Sequence, residues 1–272
     1  MGSDPQRRES TDATVIVNAD DWGRDAPTTD HILECVQHAK ISSVSAMVFM
    51  EDSERAASIA RERGVDAGLH LNLTTPFSAR GVESRLRDHQ AKIAGFLRFS
   101  NIARVLFHPG LAVSFDYVVK AQLDEFQRLW LHPARRIDGH HHMHLCANIQ
   151  AQRLLPEGLI VRRNFSFAAG EKGLLNRFYR GRQDRNLRRR FRTTDYFFAL
   201  SPLDPERLHG ISALAAHSDV EIMTHPVNDR ERGFLLADGL ERATGAAIAS
   251  CYFLCGAGSG ISDAAVDHGS AK

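Results

Sequence analysis

The residues best suited to chemistry are crowded into Asp138-Gly139-His140-His141-His142-Met143-His144, a stretch holding four of the fourteen histidines. Each imidazole carries two nitrogens that need partners, so four of them make poor core material and good metal ligands. A solvated or tag-like histidine run is the plainer alternative. Two further stretches favour the metal: Asn18-Ala19-Asp20-Asp21-Trp22-Gly23 and Gly68-Leu69-His70-Leu71-Asn72. Two imidazoles and one carboxylate form a facial set that leaves positions for water and substrate. One divalent ion is expected, zinc or magnesium first, with manganese and iron also suited to the set. Asp20 and Asp21 are neighbours, and successive side chains of a regular strand point oppositely. At a strand end that constraint relaxes, so one can ligate while the other contacts a water beside the ion. Alone, the pair reads more simply as a cap or turn. His225, in Thr224-His225-Pro226, is either a structural hydrogen-bonder or, from its place after a strand, a general acid. Trp22 is either a stacking platform for a sugar or a packed aromatic.

The elements that must position these groups alternate. Thr14–Asn18 is a compact β-branched run that reads as a buried strand, and Val44–Phe49 and Asp66–Thr74 read as the second and third strands. The strand leading to His140, then Leu159–Arg162, Asp195–Leu200 and Val220–Thr224 continue the series. Helices are expected between them: one capped by Thr28 or Thr29 and running to Lys40, and one from Asp52 or Ser53 that Gly64 ends as a C′ residue. Further helices are expected over Phe115–Leu131, Leu145–Leu155, 170–192, Pro205–His217 and 230–250. Strand–helix alternation implies βαβ units and a parallel sheet. Seven strands predict an open or distorted (β/α) TIM-like barrel, with a doubly wound sheet as the alternative. Residues 75–112 break the rhythm and read as an insertion with a short helix at Phe96–Phe107. A single domain over 13–250 is expected, between a disordered lead at 1–12 and a disordered tail at 251–272. In such folds functional groups gather where strands meet the loops at their carboxyl ends. Asp20, Asp21, His70, His140 and His225 all fall there, on four separate strands.

Composition bounds the partners. The chain has 272 residues, 43% hydrophobic and 25% charged, with a net charge of +1. That balance argues against nucleic acid or a membrane bound through bulk charge. The basic run Arg177–Arg192 reads first as a solvated helix face and second as a stretch that binds phosphate or another anion. Cys35, Cys146, Cys251 and Cys255 form no CxxC pair and suggest thiols in a reducing cytoplasm. No apolar run is long enough to span a membrane. A homo-oligomer is compatible with the sequence but not readable from it.

Together the motifs resemble the ChbG/HpnK deacetylases, the YdjC-like family. The resemblance rests on Asn18–Gly23, Gly68–Leu71, Asp138–His144 and Glu221-Ile222-Met223-Thr224-His225-Pro226, in that order. It implies a distorted (β/α) barrel related to polysaccharide deacetylases, and metal-dependent removal of an acetyl group from an N-acetylated sugar. Carried over motif by motif, it implies Asp21, His70 and His140 as metal ligands, Asp20 as general base and His225 as acid. Arg162 matches, more loosely, an arginine beside the base. Trp22, Arg162 and His144 are the expected substrate contacts. Trp22 stands where phenylalanine is commoner, and 75–112 and 163–193 have no counterpart, so these loops are expected to choose the substrate. No closing segment is recognisable after Leu236. The rival readings are a barrel that binds metal or sugar without catalysis, and a metal-dependent sugar isomerase or aldolase. A glycosidase fits poorly, because its two carboxyl groups flank the bond at ~5–9.5 Å and adjacent residues rarely do.

Overall fold

The computed structural model describes residues 13–100, 102–166 and 174–254, with the backbone alone over 174–179. The expected lead at 1–12, the tail from 255 and Cys255 lie outside the described residues.

The central strand, β1 (Thr14–Trp22), has two chemically different faces. Val15, Val17 and Ala19 join the main apolar core, while Ile16 belongs to a separate small cluster with Ala249 and Tyr252. Alternation puts Asn18 and Asp20 on the same side as Ile16. The other strands are β2 (Ser43–Ala46), β3 (Ala67–Leu71), β4 (Arg136–Gly139), β5 (Ile160–Val161), β6 (Tyr196–Ala199), β7 (Val220–Thr224) and β8 (Ala247–Ile248). All named pairings are parallel, in the order β5-β4-β3-β2-β1-β7-β6. This is a ring cut between β5 and β6. A doubly wound sheet would place the next strand in sequence on the free side of β1. Here the late strand β7 occupies it, so the distorted barrel stands and the doubly wound alternative falls. The cut is partly bridged, with the Val161 N–H donating to the Arg192 carbonyl at 2.9 Å and the Ser166 N–H to the Phe197 carbonyl at 2.8 Å.

Helices α1 (Ala26–Gln37), α2 (Ser53–Arg63), α3 (Ser84–Phe99), α4 (Ala112–Trp130), α5 (Ala147–Gln152), α6 (Leu174–Arg188), α7 (Pro205–Ala215), α8 (Asp229–Leu236) and α9 (Gly239–Thr244) make the outer layer. Gly64 closes α2 in the left-handed conformation, φ 65°, as its place in the sequence requires. Five expectations change. Asp25, not Thr28 or Thr29, caps α1 and accepts the Thr28 N–H, with Pro27 in the first turn. The insertion helix is α3, which starts well before Phe96 and ends at Phe99, and buries Leu86, Ile93 and Leu97 on one face. The last helix is split into α8 and α9 by Asp238, at φ 54°. Beyond them β8 pairs with the start of β1 through Thr14↔Ala247 and Val15↔Ile248, supplying a late element that is not recognisable in the sequence. Tyr252, two residues past the expected domain boundary, is buried, and its N–H donates to Asp66 at 2.8 Å. Among the described residues no helix is long and apolar enough to cross a membrane.

Candidate metal centre

At the carboxyl end of the strands, Asp21, His70 and His140 present donor atoms that all lie within 4.8 Å of one another. His70 Nε2 is 3.4 Å and His140 Nδ1 2.9 Å from Asp21 Oδ1. Around a tetrahedral ion with bonds of ~2.0–2.1 Å, neighbouring ligand atoms stand about 3.3 Å apart, so this set fits one ion. Asp21 reaches the centre through its backbone. It adopts φ 72°, and the β1–β2 register slips between Ala19 and Trp22. The bulge lets adjacent aspartates serve one site, which a regular strand forbids. His140 opens a tight helical turn in which His141 and His142 take φ 54° and 58°. Gly139 is required there, because a Cβ on it would meet His144 atoms at 2.9 Å.

A buried ionic lattice holds this set from below. Asp138 Oδ1 lies 2.7 Å from His70 Nδ1, which turns Nε2 toward the centre. Arg162 forks Asp20 through Nη1 and Nη2, both at 2.8 Å, and Nη2 also reaches Asp138 at 2.9 Å. Its Nε donates to Glu221 at 2.8 Å, and the Tyr252 hydroxyl donates to the same carboxylate at 2.8 Å. Arg136 covers the Tyr252 ring at 4.5 Å. Four buried carboxylates (Asp20, Asp21, Asp138, Glu221) face two buried guanidiniums (Arg136, Arg162). The excess of negative charge is what a divalent cation balances.

Titration follows the same geometry. Burial opposes charge on Asp20, but Arg162 and then His70 outweigh it and hold the carboxyl below the ordinary value. Burial likewise opposes charge on Asp21, yet hydrogen bonds from His140 and His70 hold it far below the usual carboxylate range. For His70, burial is overcome by Asp20 and Asp138, which push its pKa up to about 10. Burial raises the Glu221 carboxyl despite Arg162.

The expected residues fare differently. Asp20, Asp21, His70 and His140 converge. His225 directly follows Thr224, whose register partner on β1 is Ala19, the residue before Asp20. Its backbone N–H and the Thr224 hydroxyl both donate to Glu231 Oε2 at 2.8 Å. Three expected substrate contacts are corrected. Trp22 is wholly buried, with Nε1 donating to the Ala56 carbonyl at 3.1 Å, so no ring face is open to a sugar. Arg162 is buried within the lattice and spends its donors on carboxylates. His144 is buried, and its Nε2 bonds the Arg162 carbonyl at 2.9 Å. Burial lowers its pKa to about 4, which keeps the ring neutral. The sequence reading missed Asp138 and Glu221 as working residues. The available signal was charge inside buried strands: Glu221 interrupts Val-Glu-Ile-Met-Thr, and Asp138 follows Ile137.

The family model for YdjC-like proteins matches residues 14–247. A chitooligosaccharide deacetylase of Serratia marcescens is 29% identical over 137 residues, 48% of this chain and 50% of that protein. One from Enterobacter sp. (strain 638) is 31% identical over 49% of this chain and 51% of its own length. The chain therefore spans about half the length of these two relatives. A carbohydrate deacetylase of Clostridium beijerinckii matches more fully, at 25% identity over 78% of this chain and 80% of that protein. The crystal structure of an Enterococcus faecalis V583 protein named for cellobiose-phosphate cleavage superposes with a TM-score of 0.59. At 16% identity over 88% of this chain and 97% of that one, it shares the fold.

Proposed function

The chain belongs to the YdjC-like family, and on that footing we propose that it is a metal-dependent carbohydrate deacetylase acting on an N-acetylated sugar. The observation that carries the reading is the convergence of Asp21, His70 and His140, with Asp20 alongside. Similarity to chitooligosaccharide and carbohydrate deacetylases supports the substrate class. In this reading Asp21, His70 and His140 hold one divalent ion, zinc or magnesium. When bound, the ion supplies Lewis-acid polarisation of the acetyl carbonyl and lowers the pKa of water.

The chain's own residues move the protons. Asp20 is the general base and takes a proton from the attacking water. Its Oδ2 lies 4.0 Å from His70 Nε2, beside the ligand set. Oδ1 already accepts from Asn18 at 2.9 Å as well as from Arg162, while Oδ2 accepts from Arg162. A carboxylate offers about four lone-pair sites, so Oδ2 keeps one for the proton. Arg162 fixes the direction of that lone pair. His225 protonates the departing amine. Base and acid each contribute ~10²–10⁴-fold. The proposed location is the cytoplasm, in keeping with the free, buried thiols of Cys35 and Cys146.

The test couples metal analysis of the purified protein to acetate release from a panel of N-acetylated sugars. Acetate and free amine should appear together. Asp20→Asn should lower turnover by ~10²–10⁴-fold and keep the metal. Metal and sugar binding without acetate from any panel member would leave a non-catalytic binding barrel. Loss of metal from Asp20→Asn but not from Asp21→Asn would exchange their roles.

A further inference from the structure

We propose a second binding site, for a phosphate-bearing anion, in the groove between α5 and α6 on the outer layer of the barrel. It goes beyond the hydrolysis proposed above and does not depend on it. The groove encloses a cavity of about 360 Å³, within the size range of small-ligand pockets. Arg153, Arg182, Arg190, Gln150, Asn186 and Leu187 contribute to its wall, and no carboxylate is among its described lining residues.

Arg190 is the decisive residue. Its Nε and Nη2 are buried and have no hydrogen-bond partner among the described residues. Its guanidinium rests on the Phe191 ring at 4.8 Å, which orients the plane without satisfying its N–H groups. A buried, charged donor left unpaired is costly, and an oxyanion removes that cost. The carboxylates nearest in sequence are engaged elsewhere, Asp184 with Arg163 at 2.7 Å and Asp195 with Arg188 at 3.7 Å. Arg153 and Arg182 are exposed and add two more guanidinium forks, whose planar donors match phosphate oxygens. The Gln150 amide nitrogen is spent on the His144 carbonyl at 3.1 Å, so its oxygen remains for a ligand hydroxyl. Buried Leu187 gives the cavity an apolar patch. The chemistry is that of a phosphate group, either free inorganic phosphate or a phosphate monoester of a small sugar.

Isothermal titration of the full chain with inorganic phosphate and with glucosamine 6-phosphate, at ionic strength fixed with chloride, tests the site. At least one should bind saturably. Arg190→Gln should weaken it about tenfold or more. Arg182→Gln, at an exposed position, should weaken it less and keeps the test standing if the first variant does not fold. Asp21→Asn should leave phosphate binding unchanged. Equal binding of both ligands assigns the site to phosphate itself, and binding of the monoester alone assigns it to sugar phosphates. No saturable binding of either, binding that survives Arg190→Gln and Arg182→Gln, or binding lost only in Asp21→Asn overturns the proposal.

Discussion

The two sides of the barrel rim are built differently. On the side of β1, β3 and β4, Asp21 and His70 are each held more than once. His70 is tied to Asp138 and faces Asp21, and Asp21 is tied to His140 and, through Oδ2, to Arg24 at 2.9 Å. On the side of β7, His225 is held through its backbone, its N–H donating to Glu231 and its carbonyl accepting the Asn228 N–H, both at 2.8 Å. Like charges and imidazoles crowded into one buried space need many fixed partners, because each unpaired one is expensive there. A proton donor must come within hydrogen-bond reach of the departing amine. The contrast is in keeping with the proposed division, ion binding on the rigid side and proton delivery on the other.

The largest expected effect breaks that contrast if it fails. Asp21→Asn should empty the centre, with metal content at background and turnover down by more than the ~10²–10³-fold that loss of a single oxyanion donor costs. His225→Gln should lose ~10²–10⁴-fold in turnover with metal content intact. Metal analysis and acetate release on both variants decide it, and equal metal loss from the two would erase the distinction. A subtler variant probes the support. Asp138→Asn keeps the shape but removes the charge behind His70, and should weaken metal binding ~10–100-fold. Titration with zinc should show no comparable change for His225→Gln.

Charge on His70 sharpens the same comparison through pH. In the metal-free protein Asp20 and Asp138 overcome burial and raise its pKa from an ordinary 6.5 to about 10. A raised folded-state value stabilises the metal-free protein fully below the unfolded value, and that contribution is lost as pH climbs from about 6.5 towards 10. An imidazole must be neutral to ligate, so metal binding near neutrality should displace the His70 proton. Affinity should therefore tighten about tenfold per pH unit across that window, with one proton released from this ring. Calorimetry in two buffers of different ionisation enthalpy reads the proton count. A flat affinity would mean that the ring is already neutral.

What was legible in the sequence follows from these physical differences. Buried parallel strands read as apolar runs, so polar groups at their ends stand out, and Asp20, Asp21, His70, His140 and His225 were all visible that way. The seven-strand alternation was legible for the same reason, as was Gly64. The bulge and positive φ at Asp21 were not, because nothing in Asn18–Gly23 says that the backbone leaves the extended region. Nor does periodicity say which face of a strand lines the barrel interior, and that hid the lattice. Asp138 is read only as the opening of the histidine stretch, and Arg162 as a substrate contact that loosely matches an arginine beside the base. Glu221 drew notice only inside a motif. Tyr252 was lost because Gly and Ser crowd the chain just after it, although its own position is packed. Long-range pairs such as Arg162 with Asp20 and Tyr252 with Glu221 become visible only once the chain has closed.

The smallest effect concerns Trp22, two residues beyond the proposed base and next to a proposed ligand. If its ring were a sugar platform, Trp22→Phe would raise KM and leave stability nearly unchanged. The structure gives the opposite expectation. The ring is fully buried and its Nε1–H satisfies the Ala56 carbonyl on α2. Phenylalanine loses that hydrogen bond and part of the buried ring, a cost of about 1–3 kcal/mol. The backbone at Trp22 is held independently, because its carbonyl accepts from the Met47 N–H at 2.8 Å, so Asp21 should keep its place. Thermal or urea denaturation should therefore show the loss, while KM for the acetylated sugar and metal content stay at wild-type values. A raised KM with unchanged stability would return Trp22 to the substrate side and shrink the rigid half of the rim to the ligands alone.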